Sequence, residues 1–333
     1  MWTKLLTDRY KPLTVAALYK VGFFEILRYL QRKRVTILMY HRFSDTTENF
    51  KLSRHVFERQ LNYLKHRYNI ISFKEYSATL SGSLPQLPPN PLIITIDDGY
   101  LDNYEYAFPL IKKYNVPITI FLTTDFISKK AWLWSNKLEY ILKNSLESHF
   151  VFPVFNREIA CKVDTFTGWH QAQLTLFNYC RTLANEEKDS ILDELAQRLG
   201  VRIPDEVTDP YLPLSWEQIR EMHNTGLVSY GAHTCSHPIL SQLSKKELKY
   251  ELSYSKREIE NNIEVLVETF CYPNGQPEDV TQSVIEQVRL SGYSSAVSTL
   301  SGFNYPDNVD PYFLKRIAVT SPEKILLSRD LTR

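Results

Sequence analysis

Leu92-Ile93-Ile94-Thr95-Ile96-Asp97-Asp98-Gly99-Tyr100 joins a continuous apolar run to two adjacent carboxylates and a glycine. A short run of this kind, rich in β-branched residues and bounded by polar ones, reads as a strand buried on both faces, as in parallel sheets. Working outward, Val35–His41 (VTILMYH) and Ile118–Thr123 repeat the pattern, followed by Leu227–Ala232, Thr269–Tyr272, Tyr293–Ser298 and Phe313–Val319. Helical spacing appears over Phe57–Lys65, through Leu110 and Tyr114, and over Lys245–Asn262 and Thr281–Ser291. The Ser/Pro/Gly-rich stretch Ser81–Pro91 (SGSLPQLPPNP) reads as a loop. Alternation of strands and helices predicts an α/β protein with a parallel sheet or barrel, and functional groups at the strand C-terminal ends.

Lys129–Leu214 breaks that rhythm. Its helical patterns fall at Trp134–Lys143 and His170–Leu199, and it holds Trp132, Trp134 and Trp169. It reads as a largely helical insertion over one face of the barrel. Its aromatic residues suit either core packing, the commoner use, or the lining of a sugar groove.

The 333 residues carry 39 basic and 38 acidic side chains, a formal charge of +1, and 43% apolar residues. The near-zero balance argues against a dedicated nucleic-acid binder. Cys161, Cys180, Cys235 and Cys271 form no CxxC pair and suit buried thiols in a reducing compartment. The apolar stretch Val15–Leu30 is interrupted by Lys20, Glu25 and Arg28, so it reads neither as a secretory signal nor as a membrane span. Val15, Tyr19, Phe23, Ile26 and Leu30 share one helical face, Lys20, Arg28 and Gln31 the opposite one, and Arg32-Lys33-Arg34 follows. Two readings stand: a helix docked on the domain, or peripheral contact with an anionic membrane through residues 14–34. The expected location is cytoplasmic, with or without that contact.

Two clusters carry chemistry. The first is Asp97-Asp98-Gly99. Successive strand side chains point to opposite faces, so joining both carboxylates requires a turn, which Gly99 permits. Asp102 reads as a helix cap. The second is His233-Thr234-Cys235-Ser236-His237, after another apolar strand. Histidines four apart suit one face of a helical turn and can chelate one ion. Two histidines and a carboxylate leave positions open for water and substrate, the layout of a catalytic divalent metal.

The order strand–DDG, then strand–HTxxH, resembles the NodB-like polysaccharide deacetylases, carbohydrate esterase family four, from about Val35 to Val319 apart from the insertion. The resemblance implies a distorted (β/α) barrel of about seven strands and a divalent metal, zinc first, with cobalt, nickel or iron as alternatives. It implies hydrolysis of N-acetyl groups on an amino-sugar-containing glycan, oligosaccharide or glycolipid. By that resemblance Asp98, His233 and His237 are metal ligands and Asp97 is the general base for the attacking water. Phe270-Cys271-Tyr272-Pro273-Asn274-Gly275 resembles the FxYPxG form of the third motif, which implies an oxyanion donor in the Tyr272 backbone N–H.

The sequence departs from the common pattern in two places. No arginine stands in motif three, and no histidine follows His237. Arg316 is the candidate replacement that orients and charge-balances Asp97, with a surface or loop-anchoring arginine as the alternative. Tyr40-His41-Arg42-Phe43 resembles the N-terminal YH element of poly-N-acetylglucosamine deacetylases, which implies that His41 serves as the general acid; a structural hydrogen bond is the other use. The domain reading is an amphipathic segment 1–34, a barrel of 35–128 and 215–320, an insertion of 129–214 and a tail of 321–333. Competing functions are a glycan-binding protein on a decayed scaffold, a sugar deformylase, and a glycoside hydrolase, which adjacent carboxylates with two histidines suit poorly.

Overall fold

The computed structural model describes residues 17–46, 51–84, 86–128, 131–155, 157–319 and Leu331. Residues 1–16 of the expected N-terminal segment, and the expected tail apart from Leu331, lie outside the described residues.

Seven parallel strands close on themselves: β1 (Thr36–Tyr40), β2 (Pro91–Ile96), β3 (Ile118–Leu122), β4 (Val228–Ala232), β5 (Thr269–Cys271), β6 (Ser295–Ser301) and β7 (Leu314–Ala318). Neighbours pair in the order β1-β7-β6-β5-β4-β3-β2, and β2 returns to β1. A short strand at Asn69–Ile70 pairs alongside the start of β2. The barrel is the distorted (β/α)7 form that the family resemblance implied.

Register sets where each strand ends. Tyr40 lies opposite Ile96, Leu122 opposite Ala232, Ala232 opposite Phe270, and Cys271 opposite Val297. The residues that follow these positions therefore emerge together at one mouth: His41, Asp97, His233 and Tyr272. Alternation along the strands sorts the rest. Ile37, Ile93, Phe121, Cys271, Val297 and Leu314 form an apolar cluster within the barrel. Leu38, Leu92, Ile94, Ile96, Ile120 and Leu122 face the helices in the main core. A Cβ at Gly231 would come within 2.5 Å of the Phe121 ring, so only glycine admits that ring to the barrel.

The helices are α1 (Phe23–Leu30), α2 (Arg54–Lys65), α3 (Phe73–Leu80), α4 (Phe108–Tyr114), α5 (Thr124–Ile127), α6 (Trp134–Lys143), α7 (Phe166–Cys180), α8 (Asn185–Arg198), α9 (Trp216–Asn224), α10 (Lys245–Ile263) and α11 (Gln282–Leu290). Ser72, Ser215 and Ser244 open α3, α9 and α10 with capping boxes.

Between α5 and α9 the chain builds a core of its own. Leu138, Ile141, Phe152, Leu176, Leu192, Leu195 and Leu199 pack together, separate from the barrel core. The single helical pattern expected over His170–Leu199 is two helices, α7 and α8, broken between Cys180 and Asn185. An antiparallel hairpin, His149–Val154 with Arg157–Lys162, stands within the insertion expected to be largely helical. Its first strand alternates exposed and buried residues, the period-two signal. Trp132, Trp134 and Trp169 are all buried.

Candidate active site

Asp97 continues β2, its N–H donating to the Tyr40 carbonyl at 3.0 Å. Its side chain enters the barrel and meets Arg316 of β7. Arg316 Nη1 donates to Asp97 Oδ1 at 2.7 Å and Nη2 to Oδ2 at 2.8 Å. Nη1 also reaches Thr95 Oγ1 at 3.1 Å, Nε the Ser298 carbonyl at 2.8 Å, and Nη2 the Cys271 sulfur at 3.1 Å. All five guanidinium donors are thus engaged. Arg316 is fully buried, which removes the surface alternative. Burial alone would raise the Asp97 pKa, but Arg316 and His41 overcome it and hold the carboxyl well below its ordinary value.

Asp98 turns the other way. Its φ is +73° and that of Gly99 is +86°, so the turn falls on both residues and not on the glycine alone. A Cβ on Gly99 would sit 2.8 Å from Leu122 and 2.9 Å from Ile127, which reserves the position for glycine. The turn brings Asp98 Oδ1 to 3.5 Å from His233 Nε2 and 3.7 Å from His237 Nε2. The two imidazoles are held by an irregular loop, with Thr234 at φ +68° and His237 at φ +60°. This corrects the expectation of a helical turn: the four-residue spacing works through two left-handed residues. Glu251 of α10 clamps that loop, accepting from the Cys235 and Ser236 N–H groups at 2.7 and 3.2 Å and from the Ser236 hydroxyl at 2.7 Å. Cys235 is buried behind the loop.

The donor set fits a divalent cation. Tetrahedral bonds of about 2.0–2.1 Å put ligand atoms roughly 3.4 Å apart, close to the separations from Asp98 to both histidines. His233 Nδ1 donates to the Cys271 carbonyl at 2.8 Å, which turns the Nε2 lone pair toward Asp98. Burial lowers the pKa of both histidines, most for His237, and so favours the neutral, ligating form. Asp98 Oδ1 is buried without a hydrogen-bond partner among the described residues. A second grouping, Asp97, His233 and Cys271, also lies within ligating range. There, however, Arg316 already occupies both Asp97 oxygens and the sulfur, and a cation would face a guanidinium.

His41 follows β1 and sits at the open side of the same site. Its Nε2 is 3.7 Å from Asp97 Oδ2, and its side chain is 44% exposed. Tyr272 also lines the cavity. Its N–H, however, donates to the Val297 carbonyl at 3.1 Å, continuing the β5–β6 ladder. The expected oxyanion donor is therefore already engaged. Asp102 stands at the N-cap position of the short helix Asn103–Ala107, but its side chain makes no capping hydrogen bond. It accepts from the Phe43 N–H at 3.1 Å and pairs with Arg42 Nε at 3.2 Å, tying down the chain after His41. The Asn103 amide donates to the His41 carbonyl at 2.9 Å. Sequence reasoning passed over Arg42, Asn103 and Glu251. All three act through loops, and a buried charged position such as Glu251 inside an amphipathic helix was the available signal.

A cavity of about 810 Å³ opens above these groups. Barrel residues form one wall; Trp134, Asn136, Glu139, Gln173 and Phe177 of the insertion form another. A parallel barrel with two histidines and a carboxylate at its C-terminal mouth, beside an arginine-held aspartate, is the architecture of a metal hydrolase.

The polysaccharide deacetylase family model matches residues 85–294, and the chain belongs to that family. The YxkH protein of Bacillus subtilis (strain 168) is 27% identical over 180 residues, 50% of this chain and 64% of that protein. The poly-β-1,6-N-acetyl-D-glucosamine N-deacetylase of Staphylococcus aureus (strain N315) is 28% identical over 108 residues, 32% of this chain and 36% of that protein. The chain thus spans less than two thirds of these relatives. Two solved structures share the fold: the IcaB structure from Ammonifex degensii, with TM-score 0.59 and 19% identity over 90% of this chain and 98% of that one; and Streptococcus pyogenes deacetylase PplD in complex with acetate, with TM-score 0.58 and 20% identity over 89% and 98%.

Proposed function

We propose that the protein is a metal-dependent hydrolase that removes N-acetyl groups from an amino-sugar-containing glycan, oligosaccharide or glycolipid. One observation carries the reading: a neutral-histidine and carboxylate triad stands beside an ionised, arginine-held aspartate in one ligand-sized cavity. Asp98, His233 and His237 hold the divalent cation, zinc before cobalt, nickel or iron. When bound, that cation polarises the amide carbonyl and makes water acidic enough to attack near neutral pH. Asp97 takes the proton of the attacking water, and Arg316 keeps it ionised and fixed in orientation. His41 gives a proton to the leaving amine from the open side. Residues 35–128 and 215–320 supply this chemistry, and residues 129–214 act as an insertion that shapes the cavity.

The test is acetate release from N-acetylglucosamine oligosaccharides by zinc-loaded protein. Asp97→Asn is expected to lower kcat by about a thousandfold, the scale of losing a positioned general base, and chelation should abolish release. Unchanged turnover in that variant would refute the assignment.

We further infer a cytoplasmic location with peripheral contact to an anionic membrane surface. No described helix is long and apolar enough to cross a membrane, and the four cysteines are unpaired and buried. Around α1, Leu18, Val21, Phe23, Ile26, Tyr29 and Leu30 are all exposed, a denser apolar patch than elsewhere among the described residues. Exposed Lys20, Arg32 and Lys33 border it. Glu25 pairs with Arg67, and the Arg32 carbonyl accepts from the Asn90 N–H just before β2. The patch therefore lies at the N-terminal end of the barrel, opposite the catalytic mouth, and a docked enzyme presents its site to the aqueous side. Cosedimentation with phosphatidylglycerol vesicles should fall severalfold in an Ile26→Glu, Leu30→Glu double variant. Equal binding by both proteins would contradict the contact.

A further inference from the structure

The insertion wall of the cavity carries polar groups that this chemistry does not use. Asn136 of α6 and Gln173 of α7 are 3% and 8% exposed, and both line the cavity. Asn136 Nδ2 and Gln173 Oε1 are buried with no hydrogen-bond partner among the described residues. Buried amides are nearly always paired, because an unmet donor or acceptor forfeits its hydration for nothing. Here two such atoms, one donor and one acceptor, lie just beneath the wall of the same cavity, on residues of neighbouring helices that line it.

Their position is fixed relative to the reacting centre. The Tyr100 hydroxyl donates to Asn136 Oδ1 at 3.0 Å, and Tyr100 belongs to the Asp97-Asp98-Gly99-Tyr100 turn. The bond anchors the amide to the segment that carries the base and a metal ligand, and it directs Nδ2 away from Tyr100. Phe177 of α7 lines the wall beside them and stacks on Trp134, with ring centroids 4.8 Å apart. A flat apolar surface beside an amide donor and an amide acceptor matches a pyranose, which presents C–H faces and hydroxyl edges that both give and accept hydrogen bonds.

We propose that Asn136 and Gln173 form a saccharide subsite supplied by the insertion, Asn136 Nδ2 donating to a sugar oxygen and Gln173 Oε1 accepting from a sugar hydroxyl. The proposal rests on the deacetylase reading and adds that substrate selection lies in residues 134–181, not in the barrel motifs. The subsite engages the substrate without touching the reacting amide.

Two probes separate the subsite from the metal chemistry: an N-acetylglucosamine tetrasaccharide, and 4-methylumbelliferyl acetate, which carries an acetyl group and no sugar. Asn136→Leu and Gln173→Leu keep side-chain bulk while removing the amides. Each is expected to raise KM for the tetrasaccharide about tenfold, the scale of one lost hydrogen bond to a ligand. The kcat/KM for the aryl ester should stay within about twofold in Gln173→Leu; Asn136→Leu also removes the acceptor of the Tyr100 hydroxyl beside the catalytic turn, so it is read by tetrasaccharide binding. Calorimetric titration of the tetrasaccharide into zinc-loaded Asp97→Asn protein gives a readout independent of turnover. Affinity should fall by the same factor when either leucine is added, with the thermal midpoint confirming an intact fold. Unchanged KM and unchanged binding, or parallel losses on both probes in Gln173→Leu, would overturn the subsite. If the parent protein binds the tetrasaccharide in an Asn136-dependent manner but releases no acetate, the deacetylase reading fails and the subsite stands.

Discussion

The two walls of the cavity are positioned in different ways. On the barrel side, the groups around the base are bound by protein: Arg316 has every donor engaged, Asp97 both oxygens, and Glu251 holds the histidine loop, while Asp98 Oδ1 has no hydrogen-bond partner among the described residues, as a metal ligand requires. Parallel register sets the heights of these residues, so their placement follows from the fold itself. On the insertion side, a separate apolar core positions α6 and α7, and two amides at the cavity, Asn136 and Gln173, keep a free valence each among the described residues, whereas Glu139 pairs with Lys143. The difference teaches that chemistry and selection are carried by structurally independent parts. Groups satisfied internally, such as Arg316 and Asp97, hold reacting atoms still; groups left without such a partner, Asp98 Oδ1 on the barrel and Asn136 Nδ2 and Gln173 Oε1 on the insertion, are placed for something outside the protein.

That contrast can be broken from either side. Arg316→Met should have the largest effect. It leaves Asp97 as a buried, unpaired carboxylate, with an expected loss of about 3–5 kcal/mol of stability by denaturant unfolding and near-complete loss of acetate release. Arg316→Lys should not rescue it, because one ammonium cannot reproduce the two-pronged contact. A variant that kept native stability would show that the pair is not what holds the barrel side rigid.

Leu192→Ala acts on the other wall. Leu192 is fully buried in the insertion core, so truncation should cost about 2–5 kcal/mol. It should raise KM for the tetrasaccharide and leave zinc affinity unchanged. Loss of zinc affinity in Leu192→Ala would mean that the two walls are one cooperative unit.

How much could be read in advance follows the same division. The seven barrel strands were legible because a buried parallel strand is a short apolar run, and because the strand-end motifs Asp97-Asp98-Gly99 and His233–His237 mark where strands stop. Arg316 could be nominated by type, but not by contact: it reaches Asp97 across 219 positions of sequence, and only barrel closure brings β7 to β2. The left-handed turns at Asp98, Thr234 and His237 were invisible, since none is glycine and tertiary contacts impose them. Tyr272 misled because a motif names a residue and not the partner its N–H finds in the neighbouring strand. The insertion was least legible. Its hairpin strand His149–Val154 carried a period-two signal too short to set apart from the helical patterns on either side, and the α7–α8 break at Arg181–Ala184 contains no glycine or proline.

The central claim is that the metal sits on Asp98, His233 and His237. Zinc affinity, measured by competition with a chelator of known strength, tests it most directly across four single variants. The account predicts one zinc per chain in the parent, loss of at least about a hundredfold in affinity in Asp98→Asn and His237→Ala, the scale of removing one of three protein ligands, and near-parent affinity in Asp97→Asn and Cys271→Ser. The reverse pattern, with affinity lost in Asp97→Asn and Cys271→Ser but kept in Asp98→Asn and His237→Ala, would move the metal to the Asp97–His233–Cys271 grouping and contradict the account.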